Sequence, residues 1–289
     1  MPTLVRLRPD PIPAIHPLPE RAANGRRLAV YRDTKTVLQV PWMGVVTMAF
    51  AHYPRFYDTL WAALRPAAGS AAFVDACRRL RSAAEAEAAA MHPPPLTDAL
   101  GDAGFADGEI DEIRALIEVF SHGNQPYLLI ATAARLAMEG HDLPAAAPGP
   151  TAGAHGPAPD RPLTLVEPHH ALPDVAALYA EIRATLGLPF VNTDYRALAR
   201  WPAYFRRAWD GLAPTLRTPG YKACLSRLHD GAVSEAARLP IPPGLSAQDL
   251  RAAAAADANV DEVLAVVRLF QWLLPGLIAN VALFRAQLA

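Results

Sequence analysis

The chain has only two cysteines among 289 residues, Cys77 and Cys224. Two thiols exclude a disulfide framework and a cysteine-based metal knot, and both read as reduced core residues. Charge is also scarce: 19% of residues are charged, and the signs nearly cancel to a net −1. With no basic stripe to neutralise phosphates, nucleic acid is excluded as a generic partner. No apolar run reaches the ~20 residues of a membrane span. The longest, Leu269 to Phe284, contains Pro275 and lies between Arg268 and Arg285. It reads as a buried helix, so no membrane partner is expected. The N-terminus carries Arg6 and Arg8 among prolines but lacks the apolar core of a secretory signal, which makes the cytoplasm the expected compartment. The motifs HExxH, GxGxxG, GxSxG and the Walker loop are all missing. Zinc-protease, nicotinamide, nucleotide and serine-hydrolase chemistry therefore have no footing, and neither a metal nor an organic cofactor is expected. There is no alternating strand pattern of useful length.

What the chain does have is an internal repeat. VYRDTKTVLQVPWMGVVTMAFAHYPRFYDTLWAALRP (Val30 to Pro66) returns 148 residues later as LYAEIRATLGLPFVNTDYRALARWPAYFRRAWDGLAP (Leu178 to Pro214). Tyr31 matches Tyr179, Pro41 matches Pro189, Pro54 matches Pro202, Trp61 matches Trp209 and Pro66 matches Pro214, without a gap. A register held over this length marks a duplicated folding unit. A second match, Ile110 to Phe120 with Val260 to Phe270, extends the repeat through each half.

The pattern predicts an all-α fold: two tandem helical repeats packed together, with any site between them. Residues 1–22 are a proline-rich arm, 23–140 the first repeat, 141–173 a Pro/Gly/Ala-rich linker and 174–289 the second repeat. Within the first repeat, one helix includes Tyr31 to Leu38 and stops before Pro41. A second starts near Pro41 or Trp42, and a third starts at Pro54 with apolar residues at helical spacing. Asp107 is the expected N-cap of a long helix. Gly123-Asn124-Gln125-Pro126 is expected to interrupt that helix before it resumes at Tyr127.

The copies differ in polarity at two places. Asp194 stands where the first copy has Val46, and Asn124 stands where the second has Leu274. Each polar residue lies in a different half, so the two can converge across an interface. Asp194 admits two readings. A carboxylate buried between helices is costly unless hydrogen-bonded or retained for chemistry. Asn192, Thr193 and Asp194 are equally good helix-capping residues. Asn124 beside Gly123 reads either as a site residue or as relief of a helix kink. Trp42 and Phe190 are equivalent aromatics after a proline, either core or the wall of a small apolar pocket. Arg196 and Arg200 are near the site in sequence and read as surface residues.

VPWMGVV, AGFADGEIDEIRALIEVFSHGNQPYLL and NTDYRALARWP together resemble the group I 2-haloacid dehalogenases, and the resemblance runs from about residue 28 to the C-terminus. It implies an all-α fold of two repeats, and a cofactor-independent hydrolase that cleaves the carbon–halide bond of short 2-haloalkanoic acids. By that resemblance Asp194 and Asn124 hold and activate a water that attacks Cα directly, with inversion and with both enantiomers accepted. Trp42 becomes a wall of the substrate pocket, joined by Thr193 and Phe190. Two positions depart from the family pattern: Val45 replaces a pocket aromatic, and Phe270 replaces a pocket tyrosine. The partner implied is a small-molecule substrate, a 2-haloacid; a homodimer is left open. The competing reading is a non-catalytic helical-repeat protein that binds a small carboxylic acid or a partner chain.

Overall fold

A computed structural model describes residues 2–156 and 163–289. Within these residues the chain forms twelve α-helices and no strand, as an all-α reading requires. Three isolated β-bridges tie the segment after residue 142 to its neighbours. The linker residues 157–162 lie outside the described residues.

The helices come in two sets of six. The first set is α1 Gly25–Leu38, α2 Val45–Phe50, α3 Pro54–Ala68, α4 Ala71–Ala90, α5 Thr97–Asp102 and α6 Asp107–Met138. The second is α7 Pro173–Leu186, α8 Thr193–Leu198, α9 Pro202–Leu212, α10 Pro219–Ala236, α11 Ala247–Ala255 and α12 Val260–Gln287. The duplication persists at the level of single hydrogen bonds. Ser70 caps α4 by accepting from Phe73 N, and Thr218 caps α10 by accepting from Tyr221 N. α1 ends on Gln39 at φ 52 and α7 on Gly187 at φ 66, both left-handed. Glycine takes that conformation freely. Gln39 holds it while its amide donates to Gly153 O and accepts from His155 N, fastening the linker to the first repeat.

The correspondence also extends into the arm and the linker. Leu18 N donates to Met48 O and Tyr31 Oη to Leu18 O. In the second half, Val166 N donates to Arg196 O and Tyr179 Oη to Val166 O. The last turn of the arm and the last turn of the linker are therefore equivalent pieces of the two units.

Three local expectations need correction. The second helix starts at Val45, not at Pro41 or Trp42. Met43 N is taken by Glu20 Oε1 at 2.7 Å and Trp42 O by Tyr127 Oη at 2.6 Å, so Pro41 to Gly44 stays extended. Asp107 is the first residue of α6 and Ala106 its cap, so Asp107 serves the helix as a first-turn acid. The stretch Gly123 to Pro126 does not interrupt α6, which runs through it for 32 residues. A proline inside a helix loses one hydrogen bond and crowds the preceding turn. Here burial holds the helix together: every residue from Gly123 to Met138 is buried. Its repeat counterpart α12 likewise contains Pro275 and packs most extensively on α6. A helix apolar on nearly all sides belongs in a core. Among the described residues, α12 alone is long and apolar enough to cross a membrane, and 72% of that window is buried inside the protein. Cys77 and Cys224 are both buried and free.

Candidate active site

The site is built on α8, a helix of six residues whose first turn reads Thr193, Asp194, Tyr195, Arg196. Its side chains divide among three surroundings. Asp194 turns to α6. Thr193 and Arg196, three apart and hence on one side, border a cavity of about 670 Å³. Asn192 and Tyr195, also three apart, border a second cavity of about 190 Å³.

Asp194 is 2% exposed, and one of its oxygens accepts from Asn124 Nδ2 at 2.7 Å. The two residues come from different halves, as the polarity differences between the copies require. They touch directly, with no gap for a molecule between the bonded atoms. The amide has one oxygen left, and among the described residues no side chain donates to it. Asp194 likewise keeps a second oxygen that no side chain binds. Burial pushes the Asp194 carboxyl up to about 6, against the pull of Asn124, of its own backbone N–H and of the Arg196 charge. The capping reading is set aside, because no side chain caps α8.

Asn124 is positioned by its neighbour. Gly123 faces the indole of Trp42 so closely that a Cβ would stand 2.2 Å from Cη2. Trp42 is 5% exposed, packs edge-on against Phe120 at 4.9 Å and is anchored through its carbonyl by Tyr127. Tyr127 in turn lies on Gly44, where a Cβ would come within 2.9 Å of the ring. One turn of α6 thus presents Asn124 while it seats Trp42.

Trp42, Val45, Phe190 and Thr193 all border the larger cavity, with Met48 and Arg196. Phe270 does not. It is 1% exposed and packs behind Phe190, tilted at 6.0 Å, and edge-on to Phe50 at 6.1 Å. Its role as a wall is therefore indirect: a phenyl ring needs no polar partner at that depth, and it supports Phe190.

Arg196 is not a surface residue. Its side chain is 13% exposed and Nη1 reaches both oxygens of Glu167 at 2.8 Å. Nη2 donates to Thr193 Oγ1 at 3.1 Å, and Nε is buried without a partner. Sequence reasoning undervalued this arginine; the signal was its i+3 spacing from Thr193. It also missed Tyr127, three residues after Asn124, and Asn192. Arg200 does stay outside, on Glu112 and over the Trp201 ring at 4.7 Å. No group of three or more metal-binding side chains occurs among the described residues.

A buried carboxylate with a raised pKa and an oriented amide, next to a cavity whose wall carries Arg21 and Arg196 and adjoins the pair through Thr193, together can hold a water, take its proton and receive a small anion. The chain is similar to 2-haloacid dehalogenases. It is 45% identical over 243 residues to an (R)-2-haloacid dehalogenase of Rhizobium sp. (strain NHG3), covering 84% of this chain and 95% of the relative. It is 27% identical over 245 residues to a configuration-inverting 2-haloacid dehalogenase of Alcaligenes xylosoxydans xylosoxydans, covering 82% of each. Among solved structures, a D-2-haloacid dehalogenase complexed with L-LA superposes with a TM-score of 0.91 at 34% identity, over 98% of this chain and 99% of that one. No family model matches.

Proposed function

The chain belongs to the all-α 2-haloacid dehalogenases, hydrolases of carbon–halide bonds, and we propose that Asp194 and Asn124 are the pair that drives its reaction. The observation that carries this reading is their buried contact at 2.7 Å beside a carboxyl raised to about 6. A water placed between the second Asp194 oxygen and the free Asn124 amide oxygen donates one hydrogen to each. That leaves a lone pair of the water pointed at the substrate, the geometric part of the rate gain. Asp194 takes the proton as the water oxygen bonds to Cα. The carbon–halogen bond breaks on the opposite side, the halide leaves with the bonding pair, and Cα inverts. One haloacid and one water become a 2-hydroxy acid, a halide and a proton, which Asp194 returns to solvent. Desolvation favours this, because a carboxylate with a raised pKa is the better base.

Arg196 supplies a cation at the cavity wall for the substrate carboxylate, and Thr193 holds its guanidinium in place. Trp42, Val45 and Phe190 shape the apolar side of the cavity, with Phe270 behind. The (R)-acting relative is far more similar to this chain than the configuration-inverting one, at 45% against 27% identity. The (R) in the name of the more similar relative favours (R) substrates for this chain. Halide release from D- and L-2-chloropropionate by the purified protein tests the assignment. The expected result is chloride from the D isomer, with L-lactate as product. Release from neither isomer overturns the substrate, and D-lactate from the D isomer overturns direct inversion.

A further inference from the structure

The wall of the larger cavity holds two carboxylates, Glu20 and Glu167. Glu20 is engaged away from Arg196: one oxygen accepts from Met43 N and the other from Lys35 Nζ. Glu167 differs, because its partner Arg196 is itself a wall residue of the same cavity. Both Glu167 oxygens lie 2.8 Å from Arg196 Nη1. The Glu167 side chain is 33% exposed, and among the described residues it makes no other side-chain hydrogen bond.

The guanidinium has few ends to offer an incoming acid. An arginine carries five N–H groups, one on Nε and two on each Nη. Nε is buried and closed to a ligand. One Nη2 N–H goes to Thr193 Oγ1 at 3.1 Å, and Nη1 faces Glu167. Among the described residues this leaves a single N–H of Nη2. A carboxylate is held best by two parallel N–H···O bonds. An acid in the cavity gains the second only when Glu167 gives up Nη1. The linker sets Glu167 on that spot. Val166 N donates to Arg196 O at 3.0 Å and Val166 O accepts from Tyr179 Oη at 2.8 Å. With both backbone groups of Val166 tied, the next side chain is a tethered ligand at high effective concentration. The first repeat has no such pair, since Met48 stands at the position of Arg196 and Pro19 at that of Glu167.

We propose that Glu167 is a built-in competitor of the substrate: it occupies Arg196 in the unliganded enzyme, and the carboxylate of the 2-haloacid displaces it from Nη1. The inference rests on Arg196 as the receiver of the substrate carboxylate. Glu167 is exposed enough to turn to water as the acid takes its place, so the guanidinium has a counter-ion in both states. Thr193 keeps the guanidinium in position during the exchange. A neutral 2-haloamide brings no charge to exchange and leaves Glu167 seated, so the competition also selects acids. The apparent affinity for substrate is the intrinsic affinity reduced by the fraction of enzyme whose guanidinium is free. Removing the Glu167 charge should therefore tighten binding.

Calorimetric titration of the full-length protein with sodium propionate reads the exchange without turnover. Glu167→Gln keeps an oxygen for Nη1 but loses the charge. It should bind propionate about two- to fivefold more tightly than wild type, the range of a partly exposed ion pair. KM for D-2-chloropropionate should fall by a similar factor. In an Arg196→Met background the gain from Glu167→Gln should vanish, because nothing is left to compete for. Equal or weaker propionate binding by Glu167→Gln overturns the proposal and makes Glu167 a support for Arg196. A gain that persists without Arg196 also overturns it, in favour of charge repulsion at a distance. Tighter propionate binding in a protein that releases no halide from any 2-haloacid leaves the exchange standing and removes the dehalogenase reading instead.

Discussion

Asn124 donates to Asp194 across 70 residues of chain, and that one bond settles which ends of both side chains remain free. With its NH2 end turned to the carboxylate, the amide presents its oxygen, an acceptor, at the other end, and the second carboxylate oxygen has no side-chain donor. Two acceptors facing one water fix the direction of the water's lone pair. The predictions below depend on this arrangement.

Asp194→Asn keeps the shape and the contact with Asn124 but removes the base. Halide release should fall by about 10²- to 10⁴-fold, the range a positioned general base contributes. The variant should remain folded, with an unchanged far-ultraviolet circular dichroism spectrum. Retention of most of the rate would remove Asp194 from the role of base.

The raised carboxyl sets the pH dependence. Turnover requires the ionised form, so the rate at low substrate should fall as pH drops through about 6. Stability moves the other way. The folded protein holds the Asp194 proton more tightly than the unfolded chain does, whose value is near the ordinary 3.8. The contribution is fully present below that value and is lost as pH rises to about 6. At neutral pH the ionised, buried Asp194 costs about 3 kcal/mol. Asp194→Asn should therefore melt a few degrees above wild type at pH 7.5, with the difference shrinking toward pH 4.5. A variant less stable than wild type at pH 7.5 would contradict this.

Gly123→Ala places a methyl where Trp42 Cη2 lies. Both cannot remain, and the overpacking should cost about 1–3 kcal/mol. As Asn124 is the next residue, kcat should fall at least tenfold, with a shift in tryptophan emission. Steady-state kinetics that match wild type would show that Trp42 can move without disturbing the pair.

Asn124→Asp sets a second carboxylate against the first. Like charges at this distance cannot both ionise readily, so the acidic limb of the rate profile should move above 6. At pH 7 the variant should be slower and should recover partly as pH rises. An unmoved limb would mean that the two groups do not interact in the working enzyme.

Arg196→Met keeps the stem and removes the cation. If Arg196 receives the substrate carboxylate, KM should rise about 10- to 100-fold with a smaller change in kcat, the worth of a charge-assisted hydrogen bond. A loss confined to kcat would point to its charge acting on Asp194 instead.

Some of this protein is decided locally and can be read in the chain. Pro54 and Pro202 start helices because a fixed φ and a missing N–H suit a first turn. The repeat shows itself because equal segments fold equally, down to the caps Ser70 and Thr218. The exchanges Val46 for Asp194 and Leu274 for Asn124 stand out against that background, and the resemblance to the dehalogenases rests on the same residues. Other features depend on neighbours distant in sequence. Whether Gly123 to Pro126 breaks a helix is a contest between local strain and burial, and the packing of α12 on α6 decides it. Pro41 to Gly44 stays extended because Glu20 and Tyr127 take its backbone groups. Arg196 reads as a surface cation until Glu167, 29 residues earlier, folds over it. Phe270 falls behind Phe190 for the same reason: a wall has two layers, and periodicity names the face of a helix but not its depth. The Asn124 bond and the raised carboxyl of Asp194 exist only once two halves of the chain exclude water between them, so they belong to the tertiary structure alone.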